Sequence, residues 1–125
     1  MIRPWQEDDR PFLRTLYLHA RRVAWPWLDN SEWQLEDFDA ATRDEQIWVA
    51  IHDGHRVGFA SVWENDNFLH NLFVDPLYQR LGVGRLLLEQ VQRTFTSTGA
   101  LKCLVKNERA VAFYQRHGWH IEATG

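Results

Sequence analysis

Gln79, Gly82 and Gly84 stand between an apolar run, Phe68 to Val74, and a segment that carries Leu87, Leu88, Val91 and Phe95 at helical spacing. Two glycines two residues apart let a backbone approach an anion with no Cβ in the way. A helix that starts there turns its unpaired N–H groups, and the positive end of its dipole, toward the same point. Strand, glycine turn and helix in that order suit a pyrophosphate. Gln79 and the backbone from Arg80 through Leu81, Gly82, Val83 and Gly84 to Arg85 are the candidate contacts, with the two arginines adding positive charge. A dinucleotide fingerprint would need a third glycine where Leu87 stands, and a P-loop would need a Gly-Lys-Ser/Thr that does not follow.

Other residues suit a cationic acceptor. Trp25, Trp27 and Trp33 are interleaved with Asp29, Glu32, Glu36, Asp37 and Asp39, and aromatic faces beside carboxylates attract an ammonium group. The same residues also read as core tryptophans under a solvated acidic face. His52 and His55 flank a turn and His117 and His120 a helix end, with no second pair of ligands at a convincing spacing, so no metal is expected. Cys103 falls in an apolar run and reads as a buried thiol.

These residues need elements to position them. Ile2 to Trp5 reads as a first strand, and Asp8 as the cap of a helix running to about Arg22 with Phe12, Leu13, Leu16 and Tyr17 inward. Gln46 to His52 and Arg56 to Trp63 flank Asp53-Gly54, a strong hairpin signal. Phe68 to Val74 follows as the central strand, with Phe68, His70, Leu72 and Val74 on one face and Leu69, Asn71 and Phe73 on the other. Asp75-Pro76 stops it. A helix then starts at the glycines and includes the Arg85 to Phe95 segment, Gly99 is a C-terminal stop, and Leu101 to Lys106 is a strand. Asn107 caps a helix whose Ala110, Phe113, Tyr114 and His117 share a face, Gly118 ends it, and Trp119 to Thr124 is a last strand.

The whole chain bounds the class. Its 125 residues, 45% of them hydrophobic and seven of them tryptophan, allow one domain, 1–125, with a single core. A net charge of -3 gives no basis for nucleic-acid binding, and no run is long enough to span a membrane. One cysteine and an N-terminus without an apolar signal core point to the cytoplasm.

Val74-Asp75-Pro76 followed by Gln79-x-x-Gly82-x-Gly84 resembles the acyl-CoA signature of the GNAT superfamily of N-acetyltransferases. A second signature follows at the family's distance: Asn107, then Ala112-Phe113-Tyr114, then Gly118-Trp119. The resemblance spans nearly the whole chain and is nearest to small, uncharacterised bacterial members. It implies an α/β (α+β) fold: a mixed sheet of about six strands flanked by about four helices, with two central strands splayed to admit the pantetheine arm of acetyl-CoA. It also implies transfer of an acetyl group to a primary amine, on a small molecule or a peptide, by direct attack in a ternary complex. A CoA-binding regulator that has lost catalysis is the alternative.

The resemblance assigns roles. The backbone of Leu72, Phe73 and Val74, at a bulge in the strand, would meet the acetyl carbonyl and pantetheine amides, and Asn107 the pantetheine. Tyr114 would protonate the departing thiolate and also contact the cofactor, although spacing alone makes it a core residue. His70 matches a proton acceptor of the arylalkylamine branch, with Glu32 or Glu36 as alternatives. Phe68 and Lys102 stand where other branches place glutamates. The segment with Trp25, Trp27, Trp33, Glu32 and Glu36 would wall the acceptor pocket. Family members usually continue into one more strand, so with the end at Gly125 either the sequence is shortened or a partner chain supplies the missing pairing, and a homodimer is the expected way to cover the open edge.

Overall fold

A computed structural model describes residues 1–24, 29, 31–63, 68–79, 81–95, 100–101 and 108–116. Five strands form one sheet in chain order: β1 (Ile2–Pro4), β2 (Gln46–His52), β3 (His55–Trp63), β4 (Phe68–Val74) and β5 (Ala100–Leu101). The first four pair antiparallel, and β5 runs parallel to β4 with Phe68 opposite Ala100 and Leu69 opposite Leu101. Helices α1 (Arg10–Ala24), α2 (Asp37–Ala41), α3 (Val83–Thr94) and α4 (Glu108–Arg116) complete the described residues. The mixed sheet with four helices is the expected class. The Glu64 to Asn67 turn, the Gly99 stop, residues Lys102 to Asn107 and the final strand from Trp119 lie outside the described residues.

Helices cover both faces of the sheet, and the alternation of the strands sorts residues between two cores. Ala50, Ala60, Val62 and Leu69 face Val83, Leu87, Leu88 and Val91 of α3 and Tyr114 of α4. Ile47, Val49 and Phe59 face Leu13, Leu16, Tyr17 and Ala20 of α1 and Phe38 of α2. Double coverage explains why β3 is buried without a break from Val57 to Val62 instead of alternating with polar residues. At the hairpin, Asp53 and Gly54 both take positive φ, 50° and 78°, the pair of signs that a two-residue turn matched to strand twist requires.

The start of the first helix differs from the expected one. A 3-10 turn, Glu7–Asp9, precedes α1, and the organising residue is Asp9 rather than the exposed Asp8. Asp9 is 0% exposed; it accepts from the Gln6 N–H at 2.7 Å, from both terminal nitrogens of Arg3 at 2.9 and 2.8 Å, and from Arg56 Nε at 2.5 Å. Three positive or N–H donors hold its carboxyl well below the usual range. Starting α1 at Arg10 turns Phe12 outward, 55% exposed beneath the Arg56 guanidinium, so the inward row is Leu13, Leu16, Tyr17 and Ala20.

Candidate active site

The glycine turn is shaped by its backbone. Gly82 takes φ +81° at the N-cap of α3, a left-handed conformation in which a Cβ is strained, and it brings no side-chain cap to the leading N–H groups. α3 therefore begins at Val83, between the two glycines, where the helix start was expected. The two glycines serve different needs. A Cβ on Gly84 would lie 3.2 Å from Phe113 Cζ and 3.7 Å from Val74 Cγ2, so this position is held open by the approach of α4 and the end of β4. Val74, the glycine turn and the Phe113-Tyr114 pair thus converge.

Around this turn, Asp75 Oδ1 accepts from the Leu77 N–H at 3.0 Å and closes the 3-10 turn Pro76–Tyr78 that leads into Gln79. Gln79 Nε2 reaches back to the Val74 carbonyl at 3.4 Å. Leu81 is exposed, and Arg85 lies on the outer face of α3, 3.1 Å from Glu89. Tyr114 is buried, its ring edge-on to Phe113 with centroids 5.3 Å apart. Leu72 and Val74 pack toward α3, while the Phe73 side chain stacks on Phe59 in the opposite core at 5.9 Å. Arg80 and Asn107 lie outside the described residues.

At the other end of β4 the register shifts. Ser61 pairs with Asn71 and Val62 with Leu69, which leaves His70 as the extra residue of a β-bulge. Two expectations are corrected by this. Leu72 and Val74 pair regularly with Ala60 and Gly58, so the bulge precedes them instead of lying between them. His70 does not share their face, because one extra residue displaces the alternation by one. Leu69 joins the α3 side with Leu72 and Val74, whereas His70 and Asn71 both turn toward α2. Asn71 Nδ2 donates to Ser61 Oγ at 2.7 Å and to the Ala41 carbonyl at 3.3 Å.

His70 Nδ1 lies 2.6 Å from Glu45 Oε2. Glu45 enters from the turn between α2 and β2, directly after Asp44 at φ 62°, and its side chain is only 6% exposed against 45% for His70. The hydrogen bond to this carboxylate raises the pKa of His70 above its ordinary value, with burial opposing it and the charge of Glu45 adding to the rise. Glu45 Oε1 is buried with no hydrogen-bond partner among the described residues. Glu45, His70, Trp63 and Phe68 line an open cavity of about 320 Å³. An acid, a base and two aromatic faces in one cavity can hold a cation and move a proton.

Glu45 and Trp63 were not legible as site residues. Glu45 is 25 positions from its partner and only the folded α2–β2 turn joins them.

The acidic tryptophan segment makes other contacts. Trp33 is half-buried with the Arg21 guanidinium 4.6 Å over its ring, and Arg21 also pairs with Asp37 at 3.2 Å. Asp39 binds Arg10 and Arg14. Glu32 and Glu36 are exposed, in the turn before α2 and at its N-cap. None of Trp33, Glu32 and Glu36 lines the His70 cavity. Trp25 and Trp27 lie outside the described residues. Among the described residues no group of three His, Cys, Asp or Glu could hold a metal ion, and no helix is long and apolar enough to cross a membrane.

A family model described as "Acetyltransferase (GNAT) family" matches residues 3–119. The peptidyl-lysine N-acetyltransferase YiaC of Escherichia coli is 33% identical over 126 aligned residues, which cover 97% of this chain and 84% of YiaC. The uncharacterised N-acetyltransferase YafP of the same organism is 31% identical over 77% of this chain and 57% of its own length. Among solved structures, a PaiA N-acetyltransferase from Thermoplasma acidophilum in complex with coenzyme A superposes with a TM-score of 0.82 at 18% identity, covering 100% of this chain and 92% of that one. At that identity the likeness is one of fold.

Proposed function

We propose that this chain, which belongs to the acetyltransferase (GNAT) family, transfers the acetyl group of acetyl-CoA to the side-chain amine of a lysine in a peptide or protein. Acyl-CoA-dependent N-acetyl transfer follows from the family; the acceptor is our reading. The observation that carries it is the His70 cavity, where a buried carboxylate, an imidazole and the rings of Trp63 and Phe68 offer an alkyl ammonium group both charge and apolar walls. The YiaC name adds weight to a lysyl acceptor.

β4 gives the reaction its layout. At its Val74 end lies the glycine turn, where Gln79, Arg80, Leu81, Gly82, Val83, Gly84 and Arg85 would hold the pyrophosphate. At its other end, four residues and roughly 13 Å away at strand spacing, lies the His70 cavity. The pantetheine arm would run between them along the backbone of Val74, Phe73 and Leu72, with Asn107 as a further contact. A lysine amine, with a pKa near about 10.4, arrives protonated. His70 takes that proton, and the neutral amine attacks the thioester carbonyl carbon. The carbon–sulfur bond then breaks as Tyr114 gives its phenolic proton to the thiolate, and the second proton of the attacking nitrogen passes to the Tyr114 oxygen, which leaves a neutral amide and restores the hydroxyl.

Incubation of lysyl peptides with acetyl-CoA, followed by mass spectrometric mapping, tests the acceptor. Acetyl groups on lysine Nζ support the reading. Acetyl groups on the α-amine only would overturn it.

A further inference from the structure

We propose that Glu45 is a positioning residue for His70: its carboxylate holds the imidazole through Nδ1–H, so that Nε2 carries the lone pair that accepts the acceptor's proton. The inference rests on the reading of His70 as the base and names the group that makes it one.

The geometry of the pair carries the argument. Nδ1 and Oε2 are 2.6 Å apart, the short separation of a charge-assisted hydrogen bond. Glu45 is almost completely buried, and its other oxygen has no hydrogen-bond partner among the described residues. A buried carboxylate in that position is hydrogen-bonded by the imidazole alone among those residues, so the pair resists coming apart. The imidazole, by contrast, is nearly half exposed and lines the cavity, so the ring is open to a substrate while Glu45 holds it by Nδ1. The bulge is what makes the contact: without the extra residue, His70 would lie on the α3 face with Leu72, away from the α2–β2 turn.

The groups that face His70 from the surrounding elements are few. The turn before β2 supplies Glu45, α2 the carbonyl of Ala41, β3 Trp63 and β4 its own Phe68. Among the described residues Glu45 alone brings an ionisable side chain to the ring. A carboxylate here stabilises the imidazolium, which makes neutral His70 a stronger base toward an incoming ammonium, as the aspartate of a Ser-His-Asp triad does for its histidine. In the transfer the ammonium N–H bond breaks and the Nε2–H bond forms, leaving imidazolium paired with carboxylate.

The test compares the wild-type chain with Glu45→Gln, which keeps shape and removes charge, and reads both NMR titration of His70 and the pH profile of kcat/KM on a lysyl peptide. His70 must be neutral to accept a proton, so activity falls on the acid side as His70 protonates. In Glu45→Gln the His70 pKa moves down, the acid limb moves to lower pH by the same amount, and KM for acetyl-CoA is unchanged. The variant loses part of the roughly 10²- to 10⁴-fold that a positioned base supplies. In a His70→Gln background, adding Glu45→Gln has little further effect. An unchanged His70 titration in Glu45→Gln overturns the proposal. A His70 titration that moves while the acid limb stays put leaves the pair standing and overturns His70 as the base, so the two failures are distinguishable. Should Glu45→Gln fold poorly, Glu45→Asp serves: retained charge keeps the His70 pKa high, and a fall to the value of an isolated histidine counts against the proposal.

Discussion

The two ends of β4 solve different problems with different parts of the chain. At the Val74 end the site is backbone: a left-handed Gly82, a Gly84 kept small against Phe113, and the first turn of α3. At the His70 end the site is side chain: a bulged histidine, a carboxylate from a turn 25 residues earlier, and two aromatic rings from neighbouring strands. A phosphate needs N–H groups, which every residue but proline has, so a donor end depends on conformation and space. An amine needs charge and a proton acceptor, which only particular side chains have. A family can therefore keep one end while it varies the other.

Substitutions at the two ends should separate along this line. Gly84→Trp has the largest expected effect: the indole cannot fit where a Cβ alone meets Phe113 at 3.2 Å, so acetyl-CoA binding measured by calorimetry should be lost. His70→Ala should lower kcat/KM by about 10²- to 10⁴-fold with acetyl-CoA affinity unchanged. If affinity falls as well, the two ends are not independent. Tyr114→Phe should reduce kcat by about 10²-fold and leave cofactor affinity alone. An equal loss of thermal stability and activity would make Tyr114 a core residue only, consistent with its burial. Gly82→Ala should destabilise the fold by about 1–2 kcal/mol through the left-handed backbone, read as a lower denaturation midpoint, and weaken acetyl-CoA binding.

The smallest effect concerns pH. His70 has a raised folded-state pKa, so its contribution to stability is fully present below the unfolded value of about 6.5 and is lost as pH rises through the folded one. Denaturant midpoints of the wild type and Glu45→Gln should therefore converge as pH rises past that window. A constant difference would mean that the pair contributes by packing rather than charge.

The same contrast explains what the sequence made legible. The hairpin at Asp53-Gly54, the end of β4 at Asp75-Pro76 and the glycine turn were readable because each depends on residues next to one another, and glycine and proline declare backbone geometry directly. His70 was singled out, but its face was misread, because nothing in Leu69-His70-Asn71 announces a bulge and a single extra residue inverts the alternation. Phe12 was misplaced for a related reason: Asp9, held by Arg3 and Arg56 from two different strands, sets where α1 begins. Glu45 was not singled out, since its contact with His70 exists only once the α2–β2 turn is laid against β4. Trp33 and its acidic neighbours stood out by composition, and in the fold Trp33, Asp37 and Asp39 meet arginines of α1.

Acetyl-CoA-dependent thiol release, measured on lysyl peptides beside polyamines, arylalkylamines, amino acids and aminoglycosides, with His70→Ala and Tyr114→Phe in parallel, tests the central claim most directly. Turnover that is strongest on lysyl peptides and falls in both variants is the predicted result. Acetyl-CoA binding without turnover on any amine, or turnover on lysyl peptides that both variants retain in full, would contradict it.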